Sequence, residues 1–338
     1  MTTERPANRP GQGSRSDEVI ADLIELGGAG LAVTEIVDGV VRRRGSGVIR
    51  LGVHRAGPVP GGGLDNFDIL ISTDPAACGP WVGVPPGRLE AVVADLRDRV
   101  AAQPVAATVA AQVLRTSLQV SFDEALALES LAYSMLLASS GFRAWRAATP
   151  VRQRLHEAPR VAVVQDGGVL EIQLNRPEAR NAFDARMRDE LVDALTFAAD
   201  HPDQPPVVLS GVGPDFSAGG DLNEFGAAAD PGPAHLIRTL RSPARLTHEL
   251  GNRITARLHG ACVGAGIEVP AAAARVTACP GAVFRLPEVS MGLIPGAGGT
   301  ATIPRRIGRR RACYMAISGA EIDLPTALAW GLVDAVEA

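Results

Sequence analysis

Apolar positions along this chain recur with two different periods, and the changes from one to the other divide it into blocks. In residues 17–26, Val19, Leu23 and Leu26, with Ile20 and Ile24 beside them, fall at helical spacing, and Gly27 and Gly28 supply a stop signal. Two strand-like runs follow at 48–53 and 67–72, separated by the turn-rich PVPGGGLDN. The pattern predicts a small α/β region over 17–87, whose role the sequence leaves open. It is preceded by a tail, residues 1–16, rich in Arg, Pro, Gly and Ser and expected to be disordered. The stretch CGPWVGVPPG (78–87) reads as a linker or exposed loop.

From residue 88 to 150 the period becomes helical. Leu89, Val92, Leu96 and Val100 share one face, and Ser121 with Glu124 forms a capping-box pattern that announces a second helix. The body of that helix, EALALESLAYSMLLA, is apolar over much of its circumference, so it must be buried against a neighbour or another subunit. The proline-marked ATPVRQRLHEAPR (148–160) then opens a block, 151–338, in which strand-like runs (161–164, 169–174, 207–210, 254–259) alternate with helical ones (182–199, 266–274, 309–317). Such alternation predicts an α/β domain with crossover helices, its site at loop–helix junctions beside strand ends.

Composition narrows the function. With 338 residues, 46% of them apolar, the chain can bury a large core. A formal net charge of −4 argues against a nucleic-acid partner. All 33 basic residues are arginine, which removes lysine Schiff-base and Walker-type chemistry. Cys78, Cys262, Cys279 and Cys313 lie far apart with no CxxC pair, so neither a metal knuckle nor a disulfide framework is expected; they read as small apolar side chains. The polar N-terminus and the absence of a run of about 18 apolar residues predict no membrane span and a cytoplasmic location.

Three glycine-rich junctions carry the candidate chemistry: SGVGPDFSAGGD (210–221), HGACVGAGIE (259–268) and PEVSMGLIPGAGG (287–299). Backbone donors at such junctions, helped by a helix dipole, suit a developing oxyanion. None has the dinucleotide fingerprint in its strand–turn–helix frame, and ordinary turns also produce such clusters. Two carboxylates sharpen the reading: Glu268 within the apolar GIEVPAAAA, and Glu288 after Pro287. Flanking one oxyanion site, they could divide acid and base duties. His259 is expected to be a packed strand-end histidine, and residues 305–311 an arginine-rich, solvated loop and helix face.

Residues 160–337 resemble the crotonase superfamily, the enoyl-CoA hydratases and isomerases, through LNRPEARNAF (174–183), FSAGGDL (216–222), GACVGAGIEV (260–269), PEVSMGLIPGAGGT (287–300) and GLVDAV. The resemblance implies a crotonase-like α/β fold with a ββα-spiral core. It also implies that the N–H groups of Gly220 and Ala265 bind a thioester oxygen; Ala265 stands where glycine is usual, a mild departure because only its N–H is needed. Glu268 then activates water for attack at Cβ and Glu288 handles the proton at Cα, a pair that favours hydration of a trans-2-enoyl-CoA over double-bond isomerisation. Arg176, Arg180, Ala218, Asp221 and Leu222 match positions lining the CoA cleft. The implied partner is an acyl-CoA thioester; no metal, flavin or nicotinamide is called for, and a homo-oligomer, trimer or hexamer, is expected. A non-catalytic scaffold subunit is the alternative from another class.

Residues 88–146 resemble the trimerisation-type helices that family members carry after the GLVDAV element, down to SFDEALALES and SSGFRAW. The resemblance implies a circularly permuted chain, with those helices placed before the catalytic core, or a remnant of a duplicated unit.

Overall fold

Val161–Asp166 (β5) and Val169–Leu174 (β6) form a hairpin whose two-residue turn, Gly167-Gly168, has φ of 54° and 81°. Both positions of such a turn need the left-handed region, which glycine enters without penalty. β6 alternates in burial, with Leu170, Ile172 and Leu174 inward, and the sheet grows from it by parallel pairing with Val207–Gly211 (β7), Ile254–Leu258 (β8), Arg275–Ala278 (β10) and Ala335–Val336 (β13). A second, three-stranded sheet contains Ala261–Val263 (β9), Val283–Arg285 (β11) and Ile322–Asp323 (β12). The chain passes from β8 to β9 and then into a helix, and again from β10 to β11 and then a helix. These are ββα passes of a spiral, and the strand–helix junctions all fall at one end of each pass.

The computed structural model describes residues 30–36, 48–56, 59–151, 158–228 and 230–337; the expected tail at 1–16 and the helix at 17–26 lie outside the described residues. Strands Gly30–Glu35 (β1), Val48–His54 (β2), Ile69–Ser72 (β3) and Val82–Gly83 (β4) make a third sheet, wholly parallel in the order β1-β2-β3-β4. The stretch 78–87 is exposed at its two ends, but residues 81–84 at its centre are built into this sheet. Trp81 is 1% exposed and packs with Ile36, Leu64, Phe67 and Leu70, because its apolar bulk outweighs the glycine and proline turn signals around it.

Between the third sheet and the spiral lie helices Leu89–Ala102 (α1), Pro104–Thr116 (α2), Phe122–Leu137 (α3) and Ser140–Ala148 (α4). The Ser121–Glu124 capping box is present: each side chain satisfies the other residue's backbone N–H. α2 packs on Arg309–Ser318 (α10), while α3 packs on Pro231–Leu240 (α6) and Gly299–Ile307 (α9). α4 approaches the turn after Glu288 so closely that a Cβ at Gly292 would lie 2.5 Å from the Phe142 nitrogen. The helices thus cover the 160–336 spiral within one chain, and a single apolar core runs from Ile49 through Leu114 to Val333.

Two further expectations change. The helix expected over 266–274 is short, Ala265–Glu268 (α8), followed by a 3-10 turn Pro270–Ala272 and then β10, because Pro270 can donate no helical hydrogen bond. The arginine run 305–311 is solvated at Arg305 but not at its end. Arg309 and Arg310 donate to the carbonyls of Asp65 and Leu64, and Arg311 is 5% exposed and donates to the Trp81 carbonyl at 2.9 Å. Those partners lie more than 200 positions away, so no local pattern announces them. Among the described residues, no single helix is long and apolar enough to cross a membrane.

Candidate active site

The three glycine-rich junctions and α3 enclose one cavity of about 240 Å³. Next to Ala265 in its wall, Gly264 has φ 49° and ψ −122°, a conformation that L side chains rarely adopt. A Cβ there would lie 2.4 Å from Glu288 Oε1 and 3.7 Å from Glu268 Oε1. Both carboxylates therefore face the space that glycine leaves open.

The N–H groups of Gly220 and Ala265 line the same cavity and have no protein acceptor among the described residues. The reason is local. Gly220 sits in a bridge with Phe183 whose hydrogen bonds, Phe183 N–H to Gly219 O and Asp221 N–H to Phe183 O, both bypass its own nitrogen. Ala265 is the first residue of α8, where no preceding turn can accept.

Glu268 ends α8 and is 2% exposed. Its Oε2 accepts from the N–H groups of Ala297 (2.7 Å) and Gly299 (2.9 Å), leaving Oε1 toward Gly264. Burial pushes its pKa up to about 7 against the pull of those donors. Glu288 opens the 3-10 turn Glu288–Met291 and is also buried; its Oε2 has no hydrogen-bond partner among the described residues. Burial first, then the charges of Glu268 and Glu129, holds it well above the usual carboxylate range.

Glu129 is the third buried glutamate of the cavity, and the sequence reading missed it. It projects from α3, and both oxygens are taken: Oε1 accepts from Gly298 N–H (2.7 Å), Oε2 from Thr300 N–H (2.7 Å) and the Thr300 hydroxyl (2.8 Å). Burial and the nearby Glu268 push its pKa up to about 8 although these donors favour the charged form. Glu268 holds the N–H groups of residues 297 and 299 while Glu129 holds those of 298 and 300, so two carboxylates grip alternate peptides of one loop. The signal that singled out Glu268, a glutamate within an apolar stretch, is equally present in ALALESLAYSMLL.

The expected CoA-cleft residues scatter more. Asp221 lines the cavity and is braced by Arg176 at 2.9 Å. Arg176 itself does not line the cavity: it is 3% exposed and enclosed by Asp184, Asp221 and the Ala182 carbonyl, a buried ion-pair hub with no face toward a ligand. Arg180 is exposed and paired with Asp215 at 2.6 Å, Ala218 gives its N–H to the Arg180 carbonyl, and Leu222 is exposed; these three lie outside the cavity lining. His259 reaches the Gly213 carbonyl at 3.0 Å and stays out of the cavity, as expected.

A profile of the enoyl-CoA hydratase/isomerase family matches residues 165–338. Similar curated proteins include a mevalonyl-coenzyme A hydratase of Beauveria bassiana (34% identity, 49% of this chain and 62% of the relative). Others are a 2,3-dehydroadipyl-CoA hydratase of Escherichia coli (36%, covering 50% and 65%) and an enoyl-CoA isomerase/hydratase of Mycosarcoma maydis (32%, covering 50% and 65%). The matched stretch thus spans less than two thirds of these relatives. Among solved structures, an enoyl-CoA hydratase of Thermoplasma volcanium is similar over 53% of this chain and 72% of its own, at 35% identity and a TM-score of 0.49.

Proposed function

Since this chain belongs to the enoyl-CoA hydratase/isomerase family, within the crotonase superfamily, we propose that it adds water across the double bond of a 2-enoyl-CoA thioester. One observation carries the reading: two buried carboxylates face the gap at Gly264, one anchored by two N–H groups and the other with an unpartnered oxygen, beside two unclaimed backbone N–H groups.

The geometry supports a division of labour. The N–H groups of Gly220 and Ala265 would take the thioester oxygen, stabilising the enolate that forms as a nucleophile adds at Cβ. Glu268, whose anchoring donors favour its ionised form, ionises before the unsupported Glu288 and is the base that takes a proton from water. Glu288, held protonated, delivers the proton at Cα. The proton taken at Glu268 and the one given from Glu288 balance the addition of one water; relaxation of the pair through solvent resets the site. Residues Arg180, Ala218 and Leu222, near Asp221 in the fold but outside the cavity, suit the CoA portion of the ligand. The apolar residues that α3 and α6 leave exposed, Leu131, Met135, Leu236 and Leu240, support a homo-oligomer. The cover that α1–α4 place over the spiral supports the permuted chain order.

Purified protein mixed with crotonyl-CoA in ¹⁸O-labelled water tests the reaction. The hydratase reading expects loss of enoyl absorbance and labelled 3-hydroxyacyl-CoA by mass; migration of the double bond without label would favour an isomerase.

A further inference from the structure

Three arginines line the cavity, and they are not matched alike. Arg188 pairs with Asp189 at 3.0 Å, and Arg241 pairs with Asp189 at 3.2 Å and Asp193 at 2.8 Å. Arg238, on α6, pairs with no carboxylate among the described residues. Its Nε donates to Ser130 Oγ at 3.1 Å, its Nη2 to the Ser130 carbonyl at 3.4 Å and to the Ser134 hydroxyl, and its guanidinium lies 4.9 Å from the Tyr133 ring centroid. Those contacts are neutral, and Nη1 has none among the described residues.

Apart from Glu268 and Glu288 at the Gly264 gap, the acids that line the cavity are held by other partners. Asp184 pairs with Arg160 and Arg176, Asp221 with Arg176, and Glu224 accepts from the Ala185 N–H. Glu129 is the one carboxylate among the described residues whose charge acts on Arg238, and both its oxygens accept hydrogen bonds from the 298–300 loop. A guanidinium cannot shed its charge, so a half-buried one without a counterion is expensive unless a ligand supplies the anion. Its position is also prepared: Ser130 and Ser134, one turn apart on α3, hold one edge of the fork, and His235 Nδ1 lies 2.9 Å from Ser130 Oγ. Leu126, Leu137 and Phe225 add apolar wall to the same cavity. Apolar wall beside one cation that no carboxylate matches suits a chain that ends in an anion better than a plain hydrocarbon chain.

We infer that Arg238 receives a carboxylate at the far end of the acyl chain, so that the preferred ligands are CoA thioesters of dicarboxylic acids. The inference rests on reading the cavity as an acyl-CoA site. The planar fork can take a carboxylate through two parallel N–H donors, a geometry that a neutral chain of equal length cannot use. The same cation could in principle serve a phosphate of CoA, and the test separates the two sources.

Calorimetric binding of saturated thioesters reads Arg238 without requiring turnover. Succinyl-, glutaryl-, adipyl- and suberyl-CoA are compared with their neutral monocarboxylic counterparts and with free CoA, on the wild type, Arg238→Gln and Arg238→Lys. The expected result is one dicarboxylic thioester bound at least about tenfold more tightly than its neutral counterpart. That ratio falls to about one in Arg238→Gln and is partly kept in Arg238→Lys, which retains the charge but loses the fork. A wild type that does not discriminate overturns the inference. So does an Arg238→Gln variant that weakens free CoA, neutral and dicarboxylic thioesters equally, which would assign the cation to the nucleotide. Hydration assays on the matching 2-enoyl thioesters keep the two claims apart. Preferential binding through Arg238 with no hydration of either thioester sinks the hydratase reading alone; hydration without the preference sinks the carboxylate site alone.

Discussion

Glu268 and Glu129 reach the same loop from opposite halves of the molecule, one from the ββα spiral and one from the helices that cover it, and they are spent differently. Glu268 uses one oxygen to hold the loop and turns the other toward Gly264; Glu129 uses both oxygens on the loop. A carboxylate oxygen without a partner at a cavity can exchange protons with a ligand, whereas a carboxylate with both oxygens held is spent on positioning its partners. The helical cover is therefore part of the site rather than a lid over it.

The sharpest way to break that comparison is to replace each glutamate by glutamine. Glu268→Gln should lower kcat by about 10³-fold with little change in KM, because the base is lost while the shape is kept. Steady-state kinetics on crotonyl-CoA checks this, and equal losses in the two variants would erase the distinction between base and support.

Stability against pH offers a second handle. All three buried glutamates have folded pKa values raised above the unfolded value, so the native state binds more protons than the unfolded chain. Their contribution is fully present below the unfolded value and is lost as pH rises through about 7 and 8. Denaturant unfolding should show the ligand-free protein less stable near pH 8.5 than near pH 5. A flat profile would mean that burial does not raise these three carboxyl groups above their unfolded values.

Glu129→Gln presents an amide NH₂ to a donor and should lower kcat by about tenfold, about 1.4 kcal/mol in transition-state terms, because the loop that anchors Glu268 loosens. It should also move the descending, high-pH limb of the rate profile to lower pH, since the charge of Glu129 is one of the causes that raise Glu288. A structural role without coupling would leave that limb in place.

The smallest effect is expected at the far edge of the cover. Arg311, 5% exposed, joins Trp81 of the third sheet to the Trp330 ring, 5.1 Å from its guanidinium. Arg311→Met should cost about 1 kcal/mol in thermal unfolding, from the unpaired Trp81 carbonyl, with kcat unaltered. A large loss of activity would extend the functional unit to the third sheet.

The motifs around the cavity were legible because each needs only neighbours in sequence. Gly220, Ala265, Glu268 and Glu288 sit at strand–helix junctions whose glycines, prolines and apolar runs announce both the turn and the buried carboxylate. The strands at 161–164, 169–174, 207–210 and 254–259 followed from period and turn chemistry in the same way, and the Ser121–Glu124 cap from a four-residue pattern. Where local signals conflicted with bulk, as at Trp81 amid glycine and proline, or at Pro270 inside an alanine run, packing or the missing N–H prevailed.

Amino-acid order by itself thus determined the family motifs, the alternation of strands and helices and the identity of two buried acids. Only the tertiary structure decided that Glu129 completes the loop 169 residues away, that Arg176 is sealed into an ion-pair hub, that residues 309–311 dock the third sheet, and that Arg238 meets no carboxylate among the described residues. Hydrogen bonds and ion pairs of this kind depend on which surfaces meet after the chain collapses, and burial then fixes their energies; neither quantity has a trace in the periodicity of a single segment.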